Sequence, residues 1–518
     1  MHNCRSWLHP SRKVPLLLAK RCKVGVSSQS VDEISLKNAR PFQDIPGPKS
    51  LPLIGAIYKY LPGGEFYKMR LNNYELCQYK FAKYGSIFQE QPRPGYRYVA
   101  LKDPAHFREV FRQTGKAPDR NLDRFEFALK QRRERKKPKG IFFENGEEWY
   151  RLRKQLQKEM MRPASISAYL PAQERVADDF MRRLGKLRNE NGEVPNLLHE
   201  LYKWAMESVG VICFDARLGA VDPDMETSEI ADRFVKATSD SFQALSNLVF
   251  DNFRLYRFYE TPDFKKYDQS EEVIWEIGAK YLGETLTRAK EGKEGLVKNK
   301  DNLTLTLLSK PDLSHEEAIS FSLGLFAGGV DTTAHTLSFN LVQLTAHPEV
   351  QERLRAEVMR VVPPGKTLTE KEVEQLKYLK AVVKETSRLM PTTNASSRTF
   401  KYDIAVGGYR IPAGCDVVMF NSITAQSSEY VENPHVYQPE RWLRDSMTNP
   451  IQPEVVLPFG FGPRMCLGRR VAEQELYLAL IKLMQYYRIE YHHPEPIGQT
   501  IQVVNRPDKP LRFKFVDL

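Results

Sequence analysis

A chain of 518 residues with 41% hydrophobic and 27% charged residues and a mean hydropathy of −0.50 is not disordered, and it can build a large buried core. It has no low-complexity linker, so one large domain is the simplest reading. The formal charge of +12 raises nucleic acid as a partner, but the Lys and Arg residues are spread along the chain without interleaved aromatics, so the excess is read as a docking surface for an acidic protein plus a basic leader.

The leader comes first. Residues 1–31 contain Arg5, Arg12, Lys13, Lys20, Arg21 and Lys23 with several serines, and no acid precedes Asp32. This composition predicts a mitochondrial transit peptide over residues 1–35, with a plain basic tail as the alternative. The apolar run at 14–19 is interrupted by Pro15, and no run of eighteen apolar residues occurs, so no membrane anchor is expected. The six cysteines (Cys4, Cys22, Cys77, Cys213, Cys415, Cys466) form no CxxC pair, which predicts mostly free thiols in a reducing compartment.

The folded domain, residues 36–518, is expected to open with the stiff Ile45-Pro46-Gly47-Pro48 segment and Pro52. Residues 99–101 read as a short strand, and Asp103 caps a helix over 106–113. The charge run 131–139 reads as a solvated loop face. From 149 to 288 apolar residues recur at helical spacing, as in Leu197, Leu198, Leu201, Trp204 and Ala205. Strands return at 404–406, 417–420 and 511–515, so the fold class is mainly α with small β-sheets at one side and no internal repeat.

Within this frame three segments stand out. Ser314-His315-Glu316-Glu317 is a capping box opening a helix of about thirty residues. Its middle holds Gly328-Gly329-Val330-Asp331-Thr332-Thr333, and each interior glycine costs about 1 kcal/mol relative to Ala, so a distortion is expected there; close helix packing is the plainer explanation for the pair. A helix over 380–389, stopped by Pro391, puts Glu385 and Arg388 on one face. Finally, the loop Phe459-Gly460-Phe461-Gly462-Pro463-Arg464-Met465-Cys466-Leu467-Gly468 leads into an apolar-periodic helix over 467–487. A thiolate there gains from the helix dipole and nearby amide donors, and glycines at 462 and 468 let the backbone fold tightly around it.

That loop matches F-x-x-G-x-R-x-C-x-G of the cytochrome P450 family at all five fixed positions, Phe459, Gly462, Arg464, Cys466 and Gly468. The segment at 328–333 resembles the family's [AG]-G-x-[DE]-T-T. Trp149 and Arg153, after Gly146-Glu147-Glu148, resemble its W-x-x-x-R clamp. The resemblance implies a cytochrome P450 fold in a single haem-containing domain, with haem b ligated by the Cys466 thiolate, the axial ligand that favours O–O cleavage. It implies that Trp149, Arg153, Arg398, Arg464, Phe459 and Gly468 bind the haem, and that Asp331 and Thr332 relay protons to dioxygen, Thr332 also being able to bond the Gly328 carbonyl. Glu385, Arg388 and Arg441 are then a buried structural network. Trp442 in place of the commoner Phe is a mild departure.

The chain has no GxGxxG dinucleotide fingerprint, so a separate electron donor is expected. Lys380, Lys384 and Arg470 form a candidate docking patch, similar to mitochondrial-type animal members that take electrons from a [2Fe-2S] ferredoxin and its NADPH reductase. This implies a monooxygenase on the matrix side of the inner mitochondrial membrane, with O2 and a lipophilic, sterol-like or xenobiotic substrate. By the same resemblance the pocket is lined by 117–130, 242–259, the helix near Phe326, 392–396 and 501–504. Residues 245–259 could also touch a membrane, or simply pack in the core. The rival readings are a microsomal relative served by a flavoprotein reductase, a haem-thiolate isomerase, which should lack the Asp331-Thr332 pair, and a haem-binding sensor or carrier.

Overall fold

The structure, a computed structural model, describes residues 36–69, 73–224, 228–293, 295–296, 302–443 and 450–518. The expected transit peptide lies outside these residues.

The molecule is a helical body flanked by small sheets, as the spacing of apolar residues predicts. At its centre, helix Leu197–Phe214 is buried at every residue from 200 to 214. It is wrapped by helices Leu170–Leu187, Glu229–Phe250 and His315–Ala346. A charge taken out of water costs several kcal/mol unless it is answered. Each charged residue on this helix is: Glu200 pairs with Arg183 at 2.6 Å and Lys203 with Asp232 at 2.8 Å. Glu207 accepts the amides of Leu218 and Ala220 at 2.8 and 2.7 Å.

Helix His315–Ala346, hereafter the central helix, has 32 residues and, at 1.5 Å per residue, spans about 48 Å. Both halves of its capping box form: Ser314 Oγ accepts from the Glu317 amide at 3.2 Å, and Glu317 Oε2 accepts from the Ser314 amide at 2.8 Å. The helix runs through Gly328-Gly329 without a break. Its packing supplies what local propensity lacks.

The largest sheet has four strands in the order Ile87–Arg93, Tyr96–Leu101, Asp416–Met419, Ser396–Thr399, the middle pair parallel and the outer pairs antiparallel. Asp103 caps helix Pro104–Gln113, its Oδ1 accepting from the Ala105 amide at 2.8 Å. Strand Ile404–Val406 falls where expected. The last strand is Lys514–Asp517 rather than 511–515, since pairing with Tyr487–Glu490 sets its register. Strand Ile87–Arg93 was not anticipated: Pro92 argues against a strand, and the chain accommodates it on a sheet edge with a register shift between Glu90 and Arg93.

The charge run at 131–139 is solvated in part, with Arg133, Glu134, Arg135, Lys136 and Lys139 exposed, but it is not a loop throughout. It begins inside helix Glu126–Glu134, Gln131 is buried, and its cations answer the acidic face of helix Pro262–Lys290 through Arg132–Glu271 (3.5 Å), Arg135–Asp268 and Lys137–Glu272.

Candidate functional site

The cysteine loop closes on itself before helix Arg469–Tyr486 begins. The Cys466 amide donates to Phe459 O at 2.9 Å and the Met465 amide to Gly462 O at 3.0 Å. Gly462 sits at φ 70°, a left-handed conformation that glycine adopts without strain. Gly468, at φ −78°, has no such need; a Cβ there would lie 3.8 Å from both Cys466 Sγ and Leu325 Cδ1, in the space between the sulfur and the central helix. That is ordinary van der Waals contact, so neither the backbone nor these two neighbours requires a glycine here.

Burial raises the Cys466 thiol pKa, against the amides of Gly468 and Arg469 and the guanidiniums of Arg153 and Arg120, which favour the thiolate. The side chain is nevertheless accessible by area. Dense surroundings and an open sulfur together mean that it borders an interior space. Among the described residues Cys77, Cys213, Cys415 and Cys466 are all free thiols.

Four arginines converge on the loop. Arg153 Nη1 donates to Met465 O (2.6 Å), Arg398 Nη2 to Phe461 O (2.9 Å), Arg464 Nε to Pro118 O (3.0 Å) and Arg120 Nη2 to Arg464 O (3.3 Å). Trp149 is buried with its ring 4.1 Å from the Arg464 guanidinium, and Phe459 lies beside Arg469. None of the four ion-pairs with a carboxylate among the described residues; Asp119, which acts on Arg464, pairs with Lys401 at 3.4 Å. Burial, then mutual repulsion, pushes Arg464 down to about 8 and Arg398 to about 9, and burial brings Arg153 to about 10. A guanidinium does not give up its proton in a protein, so these shifts express unanswered positive charge. Arg464 Nη1 and Arg398 Nε are buried without a partner.

Above the loop, much of the central helix is buried; Ile319, Leu325, Ala327, Gly329 and Gln343 are half-buried, and one line of residues spaced four apart is open or half-buried throughout. Gly324, Gly328, Thr332 and Thr336, each four residues from the last, remain open or half-buried. The two glycines of the motif have different work. A Cβ on Gly329 would stand 3.0 Å from Val209 Cγ2, so Gly329 permits close helix packing, whereas a Cβ on Gly328 would meet nothing within 4 Å. Thr332 Oγ1 donates to Gly328 O at 2.8 Å, and Thr336 Oγ1 meets Thr392 Oγ1 at 2.7 Å. Asp331 does not share the open line. It is buried against helix Leu197–Phe214, where the Tyr202 hydroxyl donates to its Oδ1.

Beneath the loop, Glu385 and Arg388 are wholly buried in helix Lys377–Leu389. Glu385 accepts two bonds from Arg388 (2.9 and 2.8 Å), one from Arg441 Nε (2.9 Å) and one from the Gln438 amide (2.9 Å). It also accepts from the Trp442 indole, so the residue that departs from the family's commoner Phe is a member of the network. Lys384 is exposed and lies 3.9 Å over the Trp442 ring, while Lys380, Arg469 and Arg470 stand close by, both arginines paired with Glu473 (2.8 and 3.4 Å). The structure thus brings the expected patch together but leaves an acid within it.

Phe326 itself packs in the core, buried among Phe234 (4.4 Å), Phe214 (4.9 Å) and Tyr281 (6.4 Å), while Gly324 and Gly328 of the same helix stay open or half-buried. The turn at 501–504 is joined to helix Glu229–Phe250, through Val503 N to Ser246 Oγ (3.2 Å) and Gln502 to Gln243 (3.2 Å). Sequence reasoning missed Arg120, Tyr202 and His335. Only His335, four residues after Asp331 on a helix, left a readable signal.

The family model for cytochrome P450 matches residues 45–515. Cytochrome P450 10 of Lymnaea stagnalis is 31% identical over 94% of this chain and 88% of its own length. Two proteins of Drosophila melanogaster, probable cytochrome P450 12a5, mitochondrial, and cytochrome P450 302a1, mitochondrial, are 31% and 30% identical over 93% and 91% of this chain and 92% and 95% of their own lengths. The chain belongs to the cytochrome P450 family. It is a monooxygenase whose cofactor is haem with an axial cysteine thiolate. The residues present fit that group: the arginine quartet supplies the cations that two propionates require, with orphaned nitrogens to receive them.

Proposed function

We propose that this chain is a mitochondrial monooxygenase that hydroxylates a lipophilic, sterol-like or xenobiotic molecule with electrons from NADPH, passed by a ferredoxin reductase and a [2Fe-2S] ferredoxin. The observation that carries the reading is the set of four arginines around the Cys466 loop that have no carboxylate partner among the described residues, beneath the line of open and half-buried residues on the central helix. When bound, the haem supplies the centre at which dioxygen is reduced and one oxygen atom is passed to a C–H bond.

The chain's own residues do the rest. Cys466 provides the thiolate, kept from excess basicity by the amides of Gly468 and Arg469. Arg120, Arg153, Arg398 and Arg464 orient the propionates, with Trp149 stacked on Arg464. Glu385, Arg388, Arg441 and Trp442 tie helix Lys377–Leu389 to the segment at 432–442. Asp331 and Thr332 conduct protons, and Gly328 leaves room on the open line.

A ferredoxin source is supported by the basic group Lys380, Lys384 and Arg470, and the compartment by the acid-free leader at 1–31 and the mitochondrial names of two relatives. No helix among the described residues is long and apolar enough to cross a membrane. Peripheral contact is supported by the apolar tips Leu53 (86% exposed), Phe253 (58%) and Phe258 (83%), while Arg254 and Arg257 are drawn to Glu126.

The test is turnover of NADPH by the purified holoenzyme with ferredoxin and its reductase, set against a flavoprotein reductase, after a spectral screen of sterols and xenobiotics finds a binding ligand. Lys384→Glu should weaken the salt-dependent ferredoxin association and spare haem binding. Support of turnover by the flavoprotein alone would overturn the electron source, and a reduced, carbon-monoxide-bound form with the spectrum of imidazole-ligated haem would overturn Cys466.

A further inference from the structure

Asp331 sits in a seam between helices, and its partners there are neither solvent nor a cation. Tyr202 comes from helix Leu197–Phe214 and His335 lies one turn beyond Asp331; all three are only 3% exposed. The Tyr202 hydroxyl donates to Asp331 Oδ1, and the same phenol oxygen is 3.1 Å from His335 Nε2. The imidazole meets the phenol ring edge-on, at 90° with centroids 5.6 Å apart. His335 Nε2 is 3.6 Å from Asp331 Oδ1. From the other packed elements, Ser239 of helix Glu229–Phe250 bonds Tyr202, and Arg506 of strand Arg506–Pro507 acts on it through its charge.

The donors can be counted. Burial and the Asp331 charge raise the Tyr202 pKa well above its ordinary value, so the phenol keeps its proton. That proton is given to Asp331, which leaves the phenol oxygen able only to accept. His335 Nε2 must then carry the hydrogen of that contact, while its Nδ1 is buried without a partner.

We propose that Tyr202 and His335 are positioning residues for Asp331: a directed chain of hydrogen bonds, His335 Nε2–H to Tyr202 and Tyr202 O–H to Asp331 Oδ1, holds the carboxylate in the seam. This deepens the proton-delivery reading of Asp331 and rests on it. A carboxylate with this little access to water depends on each donor it has. Without the phenol the carboxylate loses the bond that fixes its position in the seam.

The first experiment reads the chain without turnover. In histidine-15N-labelled holoenzyme, held in the diamagnetic reduced carbon-monoxide form, the His335 signal is the one lost in His335→Gln. It should show the Nε2–H tautomer, moved by Tyr202→Phe; an Nδ1–H tautomer overturns the proposal. The second measures hydrogen peroxide released against water formed during ferredoxin-supported NADPH oxidation. Tyr202→Phe should raise that ratio by about tenfold, the effect of one lost charge-assisted hydrogen bond, with the carbon-monoxide spectrum unchanged. If Tyr202→Phe loses haem, His335→Gln carries the same comparison. An effect of Asp331→Asn that neither variant shares defeats the positioning role alone, and no effect of Asp331→Asn defeats the reading of Asp331 and the proposal together.

Discussion

Trp442 donates its indole N–H to Glu385 Oε2 across 2.9 Å, completing a carboxylate that already accepts from Arg388, Arg441 and the Gln438 amide. Trp442→Phe keeps the ring over Lys384 and removes one bond to a buried charge. It should cost about 1.5–3 kcal/mol in chemical denaturation and leave the reduced carbon-monoxide band in place. Unchanged stability would mean that the indole is not part of the network.

The two glycines of the central helix should respond differently to the same substitution. Gly328→Ala meets open space and gains helix propensity, whereas Gly329→Ala presses on Val209 within a packed seam. Gly328→Ala is expected to be the more stable by about 1–3 kcal/mol, the usual cost of overpacking, yet the weaker binder of bulky ligands in spectral titrations. Equal stabilities would refute the division of labour.

The arginine quartet predicts effects of opposite sign on the two forms of the protein. Arg464→Met removes an unanswered buried cation, so the haem-free chain should melt at a higher temperature. The same change should speed haem loss to an acceptor protein by at least about tenfold, the equivalent of 1.4 kcal/mol. A haem-free chain destabilised by the substitution would contradict the charge argument.

Glu475 is buried, with Gln173 at 3.3 Å from Oε1 and no partner for Oε2, and burial raises its pKa to about 8. Here the folded state holds a proton that the unfolded state releases from about pH 4.5, so stability should fall as pH rises from there to about 8 and level off beyond. Glu475→Gln has no such proton. The difference in stability between variant and wild type should grow by up to about 1.4 kcal/mol per pH unit across that window, measured by denaturation at several pH values. A pH-independent difference would place the titration elsewhere.

What was legible in the sequence is what short-range physics dictates. The capping box at Ser314 and Glu317, the pairing of Glu385 with Arg388 three residues on, and the turn at Gly462 that presents Cys466 each depend on neighbours within a few positions. Helical periodicity likewise announced the core helices, and the loop's own spacing announced the thiolate. Long-range packing decided the rest. Arg120 reaches Arg464 across 344 positions, Tyr202 reaches Asp331 across 129, and Phe326 turned to an aromatic core because residues 214, 234 and 281 come to meet it. A side chain's hydrogen-bond capacity is written in its chemistry, but its partner is chosen when distant helices close over it and water leaves. For that reason the sequence by itself determined the sulfur, the fold class and the family, while only the tertiary structure decided which charges stand unanswered around that sulfur and what holds Asp331.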